Sequence, residues 1–306
     1  MEETGMMDML AYDFMQRAIL AGVIVGILCS FVSFFVLLKR LSFVGVGISH
    51  SAFGGVALGL FLGVNPVLAG GIFATLVAWC IGFVSRRGEI QEDVSIGIFF
   101  SSAMALGITV VSLTEGYYTD LFSFLFGNIL AVNAQDLRVL VGLGGAILLL
   151  LGLFFKELLF MCFDEEMARV NGVPVSFLYY LLLTCIAVTV VIAVKVVGII
   201  LASALLVIPA ATAHELTGNF RRMILLSVVT GVFSAMAGLW LSYNYDLASG
   251  STIVLFAGLL FLLAFTCSPR RRNPQNLWKY LNKKFFHRSG DRSKQVPEKD
   301  GLSFYH

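Results

Sequence analysis

Long apolar runs separated by short polar connections make up most of this chain, and each run is about the length of a bilayer crossing. The runs occupy residues 14–38, 41–62, 66–85, 94–114, 137–155, 177–194, 196–213, 223–243 and 251–267. A helix rises about 1.5 Å per residue, so about 20 apolar residues span the hydrocarbon core. The pattern predicts an all-α polytopic membrane protein of nine transmembrane helices, with eight and ten as the neighbouring counts. A further apolar stretch at 121–131, LFSFLFGNILA, is too short to cross. It reads as a re-entrant or interfacial segment whose Asn128 and backbone are covered by protein.

Charge between the runs alternates and gives them a direction. Lys39 and Arg40, Arg86 and Arg87, Lys156 and Arg169, Arg221 and Arg222, and then the C-terminal segment occupy every second connection. By the positive-inside rule these face the cytoplasm and the N-terminus lies outside. The opposite connections are short or acidic (Glu115, Asp120, Asp246), and Lys195, at a tight turn, is the exception. This divides the chain into an extracytoplasmic segment (1–13), one transmembrane domain (14–267) and a basic cytoplasmic tail (268–306), without a convincing internal repeat.

Composition excludes a soluble fold, since 58% of residues are hydrophobic and only 13% charged. The net charge of +2 hides a tail with ten Lys or Arg against three Asp or Glu. Beside a membrane span, such a tail points to anionic membrane lipid rather than nucleic acid. Trp278, Leu281 and Phe285 beside Lys279, Lys283 and Lys284 suit a surface-lying helix. The acidic N-terminus indicates no cleavable signal peptide. Cys29, Cys80, Cys162, Cys185 and Cys267 are isolated, so they read as packed thiols rather than a disulfide framework or zinc finger.

Chemistry centres on His50, nine residues into the second run and so about 13 Å across it, close to the bilayer midplane. An ionisable side chain there needs a partner or a purpose. It either hydrogen-bonds a carbonyl on a neighbouring helix or acts as a transient metal ligand or gate. One imidazole makes a poor metal site, but a second copy of the chain across a two-fold axis supplies another. Gly47, Ser51, Gly55 and Gly59 recur every fourth position around it and form a face for close helix packing.

His214 falls in the last turn of the seventh run, where it complements the helix dipole or serves as an exit-side ligand. Pro209, earlier in that run, cannot donate to the carbonyl of Leu205 and is placed to kink the helix. The largest internal cytoplasmic connection, FDEEMARVNGVPVSF, holds a short charged helical stretch at 164–170, stopped by Gly172 and Pro174. It is solvated loop or, in a chain with few large loops, a docking surface for a cytosolic partner. No phosphate-binding loop, zinc-protease or serine-hydrolase motif occurs. The chain is therefore read as a non-enzyme whose energy comes from another subunit or an ion gradient.

The segments LSFVGVGISHSAFGGVALG, EDVSIGIFFSSAMALGI, DLFSFLFGNILAV, FDEEMARVNGVPV and VVGIILASALLVIPAATA together resemble the permease subunits of bacterial ATP-binding-cassette importers for zinc, manganese or ferrous iron. The likeness runs from about residue 14 to 267. It implies a homodimer in the inner membrane with two cytosolic ATPase subunits that bind the ATP, and an extracytoplasmic metal-binding protein. The divalent metal is cargo moved by alternating access, and no cofactor is permanently bound. By the same likeness, 164–174 matches the coupling loop on the ATPase, with Asp164, Glu165, Glu166, Arg169, Gly172 and Pro174 as its distinctive residues, and His50 matches the histidine of the metal path.

One position departs from the family. Members with the fuller metal motif carry an aspartate one helical turn before this histidine, where this chain has Val46. Losing a carboxylate disfavours harder ions, which puts zinc slightly ahead of manganese and iron. An importer of a metal chelate, and an ATP-independent secondary transporter or channel, are the competing readings.

Overall fold

The structure, a computed structural model, describes residues 12–88, 90–113, 127 and 129–268. The N-terminal segment, most of the stretch at 121–131 including Asn128, and the basic tail with Trp278, His287 and His306 lie outside the described residues. Among those described the secondary structure is helical throughout: α1 (Asp13–Leu38), α2 (Val44–Phe61), α3 (Pro66–Arg87), α4 (Glu92–Ser112), a 3₁₀ turn at Ile129–Ala131, α5 (Ala134–Leu153), α6 (Phe155–Phe163), α7 (Glu165–Val170), α8 (Val175–Val197), α9 (Ile199–Leu205), α10 (Ile208–Leu216), α11 (Phe220–Tyr245) and α12 (Ser249–Thr266). Nine spans among these residues are long and apolar enough to cross a membrane, with α9 and α10 together forming the seventh.

Local chemistry sets where several spans begin. Asn65 caps α3 by accepting from Val67 N at 3.0 Å, with Pro66 at the first helical position. Asn133 and Asp136 form a reciprocal capping box at the start of α5, at 2.8 and 3.4 Å. Asp164 caps α7 through Met167 N at 2.9 Å. The turn between α8 and α9 rests on Gly198 at φ +85°, a conformation that suits glycine.

Burial sorts the spans into a centre and a periphery. Of the most apolar stretch of each, 67% is buried in α1 and 72% in α2 and α8, against 22% in α4 and α5. The outer helices present Leu, Ile, Val and Phe outward, as lipid-facing helices do. α2 packs along α3 and α4; α11 packs along α1, α10 and α12. The α1–α11 crossing is close because Gly26 meets the backbone of Gly231, and Ser227 donates to the carbonyl of Ser30 at 2.9 Å.

The seventh run departs from its sequence reading as one continuous helix. α9 ends at Leu205, Val207 takes φ −125° and ψ −52°, and α10 restarts with Pro209 in its first turn. Proline lacks the N–H that would continue the ladder, so the helix restarts where that donor is not required. The exceptional cation Lys195 is ion-paired with Asp136 across the α5–α8 contact, which explains its place in an otherwise cation-poor connection.

Candidate functional site

The centre of the site is α2, where small residues bring two other helices onto the backbone. A Cβ at Gly47 would lie 2.6 Å from Ile96 Cγ2 of α4, and one at Gly55 2.6 Å from Phe73 Cβ and 2.8 Å from Gly70 Cα of α3. Gly59 is equally closed, at 2.7 Å from Ala69 Cβ. Ser51, also buried, donates to the carbonyl of Gly47 at 2.7 Å. Sequence reading missed Gly54, whose added Cβ would meet the carbonyl oxygen of Ala103 at 2.5 Å, and Gly107, which faces Gly54 Cα at 2.9 Å. For Gly54 the signal was the Gly54–Gly55 doublet, which closes two faces of one helix at once.

His50 follows the same local rule as its neighbours. Ser49 and Ser51 bond back to carbonyls one turn earlier, and His50 Nδ1 lies 2.9 Å from the carbonyl oxygen of Val46. A carbonyl only accepts, so Nδ1 is the donor in this contact, and in the neutral tautomer that makes it the lone pair lies on Nε2. Back-bonding of this kind orients a metal-ligating histidine and fixes its tautomer. The partner carbonyl is on the residue's own helix rather than a neighbouring one. The ring stands edge-on to Phe100 of α4, centroids 5.1 Å apart, and is half-buried.

The broken span lies against the entrance to α2. A Cβ at Gly45 would lie 3.1 Å from Leu206 Cδ1, at the end of α9. Pro209 is buried, and the break is tied to α1 and α11: Ala210 N donates to Ser33 Oγ at 3.3 Å and Thr230 Oγ1 donates to Pro209 O at 3.5 Å. His214 is exposed on the last turn of α10. Among the described residues, no three His, Cys, Asp or Glu side chains group as a metal cage. Neither histidine thus belongs to a complete cage among the described residues.

The charged loop has an inner and an outer face. Gly172, at φ +79°, closes α7 in a Schellman motif, with Val173 N donating to Ala168 O at 3.0 Å and Gly172 N to Arg169 O at 3.1 Å. Pro174 then precedes α8. Glu165 turns inward: its carboxylate binds Lys39 Nζ and Arg86 Nη2, each at 2.5 Å, with Arg169 Nη2 at 3.6 Å. Burial pushes this carboxyl up, but the Lys39 hydrogen bond and the charges of Lys39, Arg86 and Arg169 outweigh it and hold it below the ordinary carboxylate value. Glu166, Met167 and Val170 are exposed. Of the two glutamates among the loop's distinctive residues, Glu166 is exposed and Glu165 is half-buried.

A scan of the whole chain matches the ABC 3 transport family over residues 11–268. The chain belongs to this family. Among its relatives, the manganese transport system membrane protein MntC of Halalkalibacterium halodurans is 39% identical over 272 residues, covering 89% of this chain and 93% of that protein. The manganese import system permease protein ScaB of Streptococcus gordonii is 38% identical over 261 residues, covering 85% and 94%. The solved structure of PsaBC from Streptococcus pneumoniae in complex with Fab superposes with a TM-score of 0.79 at 38% identity, covering 89% of this chain and 99% of that one. As an ABC 3 family member, the chain is a permease of the metal-importer type, as its ordered motifs led us to expect. The preference for zinc finds no support in these relatives, and the names of the two transport proteins carry manganese.

Proposed function

We propose that this chain is the membrane-spanning subunit of a manganese importer. Two copies form the pathway, two cytosolic ATPase subunits drive alternating access, and an extracytoplasmic protein delivers the ion. The observation that carries this reading is His50, set mid-span on the tightly packed α2 with Nδ1 held by Val46 O and the Nε2 lone pair left for a ligand. One imidazole per chain makes an incomplete site, and pairing across a two-fold axis completes it while leaving the ion loosely enough held to move on. The relatives' names favour manganese. With Val46 in place of a carboxylate, backbone or water oxygen has to satisfy that hard ion. His214, beyond the break at Pro209, is the candidate exit-side ligand. Clustering of Lys39, Arg86 and Arg169 around Glu165 supports placing these ends together in the cytoplasm, with the N-terminus outside.

The test is uptake by the chain reconstituted with its ATPase and binding protein, comparing manganese, zinc and ferrous iron with and without ATP. Wild type takes up manganese only with ATP, and His50→Ala falls to background while still co-purifying with the ATPase. Undiminished uptake in His50→Ala at limiting manganese removes the histidine from the path. ATP-independent flux reassigns the chain to the secondary transporters.

A further inference from the structure

The charged loop was expected to face a partner, yet its most strongly held side chain faces its own chain. Resting on the importer reading above, we propose that Glu165 is a positioning residue, a clasp through which movement of α7 is passed to the spans around His50.

The geometry carries this in steps. α7 has six residues, far too few to hold a helix by propensity alone, so its position is set by its attachments. These are the Asp164 cap, the buried Ala168, the turn at Gly172 and the Glu165 carboxylate. Of these, the carboxylate is hydrogen-bonded to helix ends distant in the chain. One oxygen takes Lys39, the C-cap of α1, and the other takes Arg86 in the last turn of α3. Both contacts are charge-assisted and come from side chains less than a quarter exposed (14% and 22%), where screening is weaker than on an open surface.

Arg86 carries the connection onward. Its guanidinium lies 4.2 Å from the ring centroid of Tyr179, and its Nη1 donates to Ser176 Oγ at 3.3 Å, both residues on α8. Tyr179 in turn donates from its hydroxyl to Glu92 Oε1 at 3.1 Å, at the first residue of α4. α4 and α3 are the two helices that close on α2, and Phe100 of α4 is the ring against His50. A shift of α7 thus pulls on α1 and α3 directly, and through Arg86 and Tyr179 on α8 and α4. The outer residues Glu166, Met167 and Val170 stay available to the ATPase while the inner carboxylate grips the spans.

The experiment measures the ratio of manganese transported to ATP hydrolysed in the reconstituted importer, together with ATPase co-purification. For Glu165→Gln, which keeps the side chain's size and removes its charge, the ATPase still co-purifies and the ratio falls about tenfold, the scale of a site-to-site coupling. Lys39→Gln lowers the ratio likewise, and in the Glu165→Gln background it adds little, because both changes remove the same contact. An unaltered ratio in Glu165→Gln overturns the clasp, and so does loss of ATPase co-purification, which makes Glu165 a docking or folding residue. Additive losses in the doubly substituted Glu165→Gln, Lys39→Gln chain also count against it. Wild type showing no ATP-dependent uptake refutes the importer reading instead, so the two failures are distinguishable.

Discussion

At Gly55 a hydrogen in place of a methyl group decides whether α2 and α3 can meet. An added Cβ there would lie 2.6 Å from Phe73 Cβ, 2.8 Å from Gly70 Cα and 3.0 Å from the carbonyl oxygen of Ala69. Two of these three atoms are backbone, so no rotamer change relieves the clash. Gly55→Ala is expected to destabilise the detergent-solubilised protein by about 1–3 kcal/mol, the range for overpacking a filled site. Gly71→Ala is the comparison, because its new Cβ meets only Val191 Cγ1 at an ordinary 3.7 Å. Thermal unfolding of the two variants checks the claim: equal midpoints would mean that α2 and α3 separate easily. The four-residue spacing from Gly47 to Gly59 made this face legible in the sequence. Which glycine meets which helix was not, because α3 and α4 approach α2 from different sides and a spacing carries no azimuth for the partner.

Among the elements, α7 shows where such reading ends. Its existence, its charge and its stop at Gly172 and Pro174 followed from local residues, since capping and the Schellman turn are local chemistry. The inward turn of Glu165 was not legible, because its partners Lys39 and Arg86 stand 126 and 79 positions away. Likewise Pro209 marked the disturbed span, but the full break at Val207 depends on the contacts that α10 makes with α1 and α11.

The direction of the Glu165 shift gives α7 a pH signature. A carboxyl held below its unfolded value contributes stability that is fully present above the unfolded pKa and is lost as pH falls through the folded one. With an ordinary value of 4.5 and a folded value below it, seating of α7 stays constant from pH 8 to about 5 and weakens only in more acid solution. Hydrogen exchange at Asn171 and Val173, corrected for intrinsic rates, should show flat protection across that interval. Loss of protection between pH 7 and 6 would mean that another group holds the loop.

For the whole molecule, the asymmetry of burial and the proposed role of His50 lead to the same expectation. The most buried spans are α1, α2 and α8, while α4, which sets Phe100 against His50, is largely open on its other side. No three-ligand cage is found among the described residues, and on the importer reading proposed above a second copy approaches from a side that lets its own His50 share the ion. Two imidazoles on one divalent ion hold their ligating nitrogens within about 4 Å, twice a metal–nitrogen bond. Their Cα atoms are then farther apart than the roughly 4.4–6.8 Å a disulfide accepts, so a short bifunctional thiol reagent is the right probe. In a background with Cys29, Cys80, Cys162, Cys185 and Cys267 replaced, His50→Cys is expected to give a cross-linked dimer in membranes. Leu255→Cys, exposed on α12 among α9, α10 and α11, serves as the comparison for random collision. Efficient cross-linking at position 50 above that level places the metal path on the two-fold axis. A yield no greater than that of Leu255→Cys means that each copy conducts alone, and His50 must then find its remaining ligands within a single chain.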